Sequence, residues 1–156
     1  MTNYSMTTLD WKILKKLQQD GRTSVSELAK NLNRSRSNIS EHIEQLLSHG
    51  ILKQFSITID PEKLGFGVSA FVRLQASSKD HRKIINHVND LPEVAECHVM
   101  TGSELLVMRV ICKDMPHLRN LVDSLTQFGA TQTDVIFATV KSEVRVDLGL
   151  EQSLKS

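Results

Sequence analysis

An α+β protein in two parts is predicted by two patterns: three short amphipathic helices in residues 1–50, then strands and helices alternating as βαββαβ. A third observation separates the parts. Asp60-Pro61, Gly65 and Gly67 interrupt the apolar periodicity between them. The expected divisions are a helical domain over 1–50, a strand and hinge linker over 51–67, an αβ domain over 68–141 and a C-terminal tail over 142–156. At 156 residues the chain suffices for one domain, or for two small ones with modest cores.

In the first helix, Leu9, Ile13, Leu14 and Leu17 share one face, and Lys12, Lys15 and Lys16 lie outside it. Thr8 is placed as its cap, Asp10 suits its positive end and Gly21 acts as its stop. The second helix starts at Ser24, because Ser24-Val-Ser-Glu27 has capping-box spacing; it turns Val25, Leu28, Ala29 and Leu32 inward and ends near Asn31.

The next stretch, 33–42, reads NRSRSNISEH and contains one aliphatic residue. Taken alone, it is either a mobile loop or the exposed start of a helix. Its surroundings decide for the helix: Ser35 is a good cap, and Ile39, Ile43, Leu46 and Leu47 form a stripe that closes at Gly50. Ser37, Asn38, Glu41 and Gln45 project on the far side, flanked by Arg36 and Ser40. Two helices joined by roughly four residues, the second with a polar, Arg-bearing N-terminal half, make a helix-turn-helix. A DNA major groove admits such a helix. The competing reading is a packing unit with a solvated polar face. Glu41 and Glu44 favour that reading, since carboxylates repel phosphates, whereas Lys30, Arg34, Arg36 and Lys53 favour DNA.

Residues 51–59 read as a strand stopped by Asp60-Pro61. The following Gly-Phe-Gly has no GxGxxG completion, so it is a turn and not a phosphate cradle. Residues 68–76 form a strand with Val68, Ala70, Val72 and Leu74 on one face and Ser69, Phe71, Arg73 and Gln75 on the other. Ile84, Ile85, Val88 and Leu91 mark a helix broken at Pro92, and 94–100 and 105–112 mark two strands joined through Thr101-Gly102-Ser103-Glu104. Leu118, Leu121, Val122, Leu125 and Phe128 mark another helix, with Asp114 and Pro116 at its start; 135–140 is the last strand. The whole is a winged helix-turn-helix followed by a ferredoxin-like βαββαβ sandwich. Two helices cover only one side of that sheet, and a second copy of the chain is the simplest cover for the Phe71 side.

In order and spacing the chain resembles the Lrp/AsnC family of bacterial and archaeal transcription regulators. The resemblance rests on Leu9-Asp-Trp-Lys-Ile-Leu14, Leu17-Gln-Gln-Asp-Gly-Arg22, Ser26-Glu-Leu-Ala29, the helix ending in Gly50-Ile, Asp60-Pro-Glu-Lys-Leu-Gly65, Ala70-Phe-Val72, and Thr101-Gly102 before an apolar strand. It covers about 9–141. The resemblance implies an N-terminal helix-turn-helix, an effector-binding C-terminal domain, dimers and often octamers, with amino acids as the usual ligands.

The departures are specific. The family's Gly-Leu-Ser before the third helix is Asn33-Arg34-Ser35 here, and an Arg common within that helix is His42. Its Gly-x-Tyr-Asp loop is Gly102-Ser103-Glu104-Leu105, and a Thr-x-Thr in the last strand is Thr133-Asp134-Val135. An amino-acid effector, an effector-independent regulator and a helix-turn-helix that serves a protein partner therefore all remain open. A siroheme-decarboxylase-like enzyme is the other alternative. Against it, the loop reads GSELLVM, without the aromatic or His residues that such enzymes carry there.

The expected DNA contacts are Lys30, Arg34, Ser35, Arg36, Ser37, Asn38, Ser40, Glu41, His42 and Lys53, with Lys30, Arg34, His42 and Lys53 on phosphates. The expected effector contacts are Met100, Thr101, Gly102, Ser103 and Glu104, with Thr133 and Val135 from a neighbouring subunit. Double-stranded DNA, a homodimer or larger homo-oligomer and an amino acid are the expected partners, with no cofactor, no metal and no catalytic residues. His98 and His117 are read as surface or packing residues, and Cys97 and Cys112 as buried small hydrophobes. No apolar run approaches membrane-spanning length, and the N-terminus has no secretory core, so a cytoplasmic location without a membrane partner is expected. The net charge of +1 decides little, although residues 1–60 carry eight Lys/Arg against six Asp/Glu and the remainder eleven against twelve.

Overall fold

The computed structural model describes residues 4–76, 81–102 and 105–141, and the chain divides into two compact units between Thr58 and Ile59. In the first unit, α1 (Thr8–Gln19), α2 (Val25–Leu32) and α3 (Arg36–Ser48) surround a small core. Ile13, Leu28, Ile39 and Leu46 are completely buried there, each contributing on the order of 1.5–3 kcal/mol.

Local chemistry sets the helix limits. Thr7, not Thr8, caps α1, in a reciprocal box with Asp10, and the helix stops at Asp20, one residue before Gly21. Ser24 and Glu27 form the expected box on α2. That helix ends at Asn33 in the left-handed conformation (φ 57°), where Arg34 N–H closes on the Ala29 carbonyl. Ser35 caps α3 by accepting the Asn38 N–H.

The second unit opens with a short 3-10 turn, Glu62–Leu64, that ends at Gly65 (φ 88°). Then follow β1 (Val68–Ala76), α4 (His81–Asn89), β2 (Val94–Val99), β3 (Leu106–Cys112), α5 (Met115–Thr126) and β4 (Gly129–Val135). All three sheet pairings are antiparallel, in the order β2-β3-β1-β4. The βαββαβ expectation holds. Ala70, Val72 and Leu74 of β1 and Leu106, Met108, Val110 and Cys112 of β3 pack with Ile84, Val88, Leu118, Leu121 and Leu125 from the two helices. The opposite face keeps Phe71 39% exposed, flanked by the Arg73–Asp134 and Arg109–Glu96 ion pairs.

Two strand expectations need correction. The last strand is Gly129–Val135 and not 135–140, where Phe137 and Val140 stand fully exposed. A polar edge strand carries little hydrophobic signal: Thr131 and Thr133 alternate with Gln132 and Asp134. Residues 51–59 form no strand: the Ile51 and Leu52 N–H groups close on the Leu46 carbonyl at the end of α3, and the rest meets no strand to pair with among the described residues. Phe55, Ile57 and Ile59 are 52%, 83% and 57% exposed there.

Candidate nucleic-acid interface and effector loop

The turn between α2 and α3 presents a continuous polar surface. Lys30, Arg34, Ser35, Arg36, Ser37, Glu41 and Lys53 are exposed, and Asn38, Ser40 and His42 are half-buried at the edges of α3. The Ser35 hydroxyl is tied to Asn38 N–H and lies 3.1 Å from the Ser37 hydroxyl, so the start of α3 is already ordered. Arg36 and Lys53 make no salt bridge among the described residues, and Arg34 reaches only the neighbouring Asn33 carbonyl, at 3.4 Å. Free guanidinium groups beside a helix N-terminus suit phosphates and guanine edges, while Lys53 follows the C-terminal end of α3, where the Leu52 N–H bonds the Leu46 carbonyl.

His42 differs from its expected place. Its Nδ1 lies 2.7 Å from Oδ1 of Asp10, and only 17% of its side chain remains exposed. Asp10 is completely buried. Its other oxygen, Oδ2, accepts the Thr7 N–H and the Thr7 hydroxyl, both at 2.7 Å, and the Tyr4 hydroxyl at 3.1 Å. Tyr4 also stacks on His49 and reaches Gln45, which ties the segment before α1 to the flank of α3. Burial raises the Asp10 pKa, but the bonds from Thr7, His42 and Tyr4 outweigh it and hold the carboxyl below its ordinary value. The stability this provides is therefore present above the unfolded-state value and lost as pH falls through the folded one. Reading Asp10 only as a helix-dipole residue missed this. The [ST]-x-x-[DE] spacing of Thr7-Thr8-Leu9-Asp10 was the available signal.

In the loop expected to hold an effector, Met100, Thr101 and Gly102 are exposed and Gly102 adopts φ 144°, which disfavours any other residue. Ser103 and Glu104 lie outside the described residues. Leu105 N–H donates to the Leu74 carbonyl, which anchors the loop to β1. Thr133 and Val135 lie on β4, across β1 and β3 from β2, so one chain does not bring them to the loop.

No enzyme-like cluster accompanies these sites among the described residues. His117 Nε2 is 2.8 Å from Glu93, while its Nδ1 accepts the Lys113 N–H, so both nitrogens are occupied in packing. His98 is exposed. Cys112 is buried as expected, and its thiol pKa is pushed up by burial and by the charges of Glu93 and Asp114. Cys97 is exposed on edge strand β2, contrary to expectation. No group of three or more His, Cys, Asp or Glu among the described residues could hold a metal ion, and no helix among them is long and apolar enough to cross a membrane.

Comparison with known proteins matches both units. A family model described as the Lrp/AsnC ligand binding domain covers residues 69–146, and one described as winged helix-turn-helix DNA-binding covers 6–53. The transcriptional regulator AzlB of Bacillus subtilis is 32% identical, with 89% of this chain and 93% of that protein covered. LrpC of the same organism, an HTH-type transcriptional regulator, is 25% identical, covering 86% and 94%. A transcriptional regulator of Neisseria meningitidis, solved in complex with L-Met, superposes with a TM-score of 0.85 at 27% identity, covering 94% of this chain and 99% of that one.

Proposed function

The chain belongs to the Lrp/AsnC family of helix-turn-helix transcriptional regulators, and from that premise we propose how its own residues carry the activity. Membership in a family of regulators speaks against the decarboxylase-like alternative. The observation that carries the reading is the polar N-terminal half of α3, with the exposed Arg34 and Arg36 guanidinium groups at its start. Ser37, Asn38 and Glu41 read base edges with Arg36 and Ser40 beside them; Arg36 offers a bidentate fork to guanine and Asn38 one to adenine. Lys30, Arg34 and Lys53 hold phosphates.

The chain acts as a dimer. Two features support this: the uncovered sheet face around Phe71, and the unpaired, alternating Phe55, Ile57 and Ile59. Selection of bound sites from a random duplex pool, with and without an amino-acid mixture, tests the reading. Paired half-sites are expected, because two copies present two α3 helices. Arg36→Ala should lose about 1–3 kcal/mol of discrimination at one base pair per half-site. If its affinity instead falls equally on every sequence, Arg36 is a phosphate contact and the base-reading assignment fails.

The effector is an amino acid lying between subunits against Met100, Thr101, Gly102, Ser103 and Glu104, with Thr133 and Val135 from the neighbour. The L-Met complex of the Neisseria meningitidis regulator supports the ligand class. Gly102, with no Cβ, lets backbone amides approach a ligand carboxylate, and the Thr101 and Ser103 hydroxyls add donors. Glu104 receives the ammonium in place of the family's Asp. Calorimetric titration of the twenty amino acids should show heat that Glu104→Ala abolishes. Silence from all of them at millimolar concentration would mean that the regulator is effector-independent.

A further inference from the structure

His42 shares a side of α3 with Asn38 and Gln45, one turn before and after it, and so lies at the edge of the proposed reading face. Its Nε2 makes no hydrogen bond among the described residues, and the ring keeps a solvent-facing edge. What that edge offers a phosphate depends on which nitrogen carries the proton. An ionised carboxylate can only accept, so Asp10 Oδ1 at 2.7 Å requires Nδ1–H. In the neutral ring Nε2 is then a bare acceptor, which a phosphate oxygen repels. Only the imidazolium has a proton on both nitrogens.

We propose, on the reading that α3 lies in the DNA groove, that Asp10 is a positioning residue of the DNA interface: by fixing the His42 tautomer it makes the phosphate contact require uptake of a proton. The carboxylate remains ionised throughout the range in which histidines titrate, because the Thr7 bonds hold its charge. Among the described residues, Tyr4 on the preceding segment shares Asp10 with the ring, His49 stacks on Tyr4, and Glu41 is the neighbouring charged residue on α3. Tyr4 stays neutral in that range, since burial and the adjacent Asp10 raise its pKa. A regulator bearing the family's Arg at this position would carry a permanent donor; this chain carries a conditional one.

The same geometry makes an unusual forecast for Asp10→Asn. Oδ2 receives both Thr7 donors, so the amide oxygen of an Asn must occupy that place. Its NH2 then faces His42 Nδ1, donates to it and moves the ring proton to Nε2. Neutral His42 becomes a phosphate donor, and the proton requirement disappears.

Two measurements test this. Long-range 1H–15N NMR of the free protein, above the histidine titration range, should show Nδ1–H for His42 in the native chain and Nε2–H in Asp10→Asn. DNA affinity at fixed ionic strength should rise in the native chain as pH falls between about 8 and 5, approaching about tenfold per pH unit for each subunit engaged. Asp10→Asn should flatten that profile. His42→Arg should be flat and tight, and His42→Gln flat and weak, and both leave Asp10 intact should Asp10→Asn melt. An Nε2–H tautomer in the native chain overturns the inference, as does a profile that His42→Gln leaves unchanged. Failure to bind DNA at any pH would instead overturn the proposed function, with the NMR result still deciding the tautomer.

Discussion

Raising salt from about 50 to about 200 mM should weaken DNA binding roughly 10³- to 10⁴-fold. Each Lys or Arg on a phosphate releases a condensed counterion, and log affinity falls by about 0.9 per contact for each decade of salt. Lys30, Arg34 and Lys53 are exposed, with His42 added when protonated, which makes roughly six to eight contacts per dimer. The expected slope is thus about −5 to −7. Glu41 and Glu44 sit on the same helix and reduce the net attraction without removing the slope, since counterions are displaced only where cations meet phosphate. Fluorescence anisotropy with a single duplex at five salt concentrations measures it. A slope near zero would exclude phosphate contacts, and α3 would then be a surface for a protein partner.

Gly129→Ala should remove most of the stability of the second unit. A Cβ at Gly129 would lie 2.1 Å from the Gln75 carbonyl oxygen and 3.1 Å from the Ala76 Cα, both backbone atoms. Those residues are held by the ladder that pairs Ala76 with Gly129 and Gln75 with Ala130, so no rotamer change relieves the overlap. Overpacking typically costs about 1–3 kcal/mol, and a clash this close with held backbone puts Gly129→Ala at the upper end. At Gly50 and Gly102, where only a positive φ is at stake and nothing crowds the Cβ, about 1 kcal/mol is expected. Denaturant midpoints for the Gly129 and Gly50 variants give the comparison. Equal losses would show that β4 can shift away from β1.

Elements whose signal is local were legible in the sequence. The Ser24–Glu27 box, the Ser35 cap, the nine residues of β1 and the Asp114 cap all lie where short-range spacing places them. The α1 box is equally local, but Asp10 also fits the positive end of the helix as a charge, which masks its pairing with Thr7. What failed depended on partners. β4 is a strand because β1 supplies its ladder, and nothing in Gly-Ala-Thr-Gln-Thr-Asp-Val announces that. Residues 51–59 have the right alternation and no ladder. For the site, the exposed cations of the turn were legible, but the Asp10–His42 bond joins side chains 32 positions apart. Spacing rules reach only a turn or two along a helix, so a tertiary polar pair of this kind is invisible to them.

The segment holding Phe55, Ile57 and Ile59 also bears on how a newly made chain behaves before it meets a second. Alternating exposed apolar side chains on an extended segment outside any sheet are what seeds edge-to-edge aggregation. Its borders work against that outcome. Lys53 places a charge at one end, and Asp60-Pro61 place a charge and a missing N–H at the other. The roughly six residues left between them are long enough for stacked pairing, so whatever protection the stretch has comes from the flanking charges and the proline rather than from its length. Charges and a missing N–H at the borders make each added strand repel or miss its neighbour, so the segment can stay exposed on a new chain with less risk of open-ended growth.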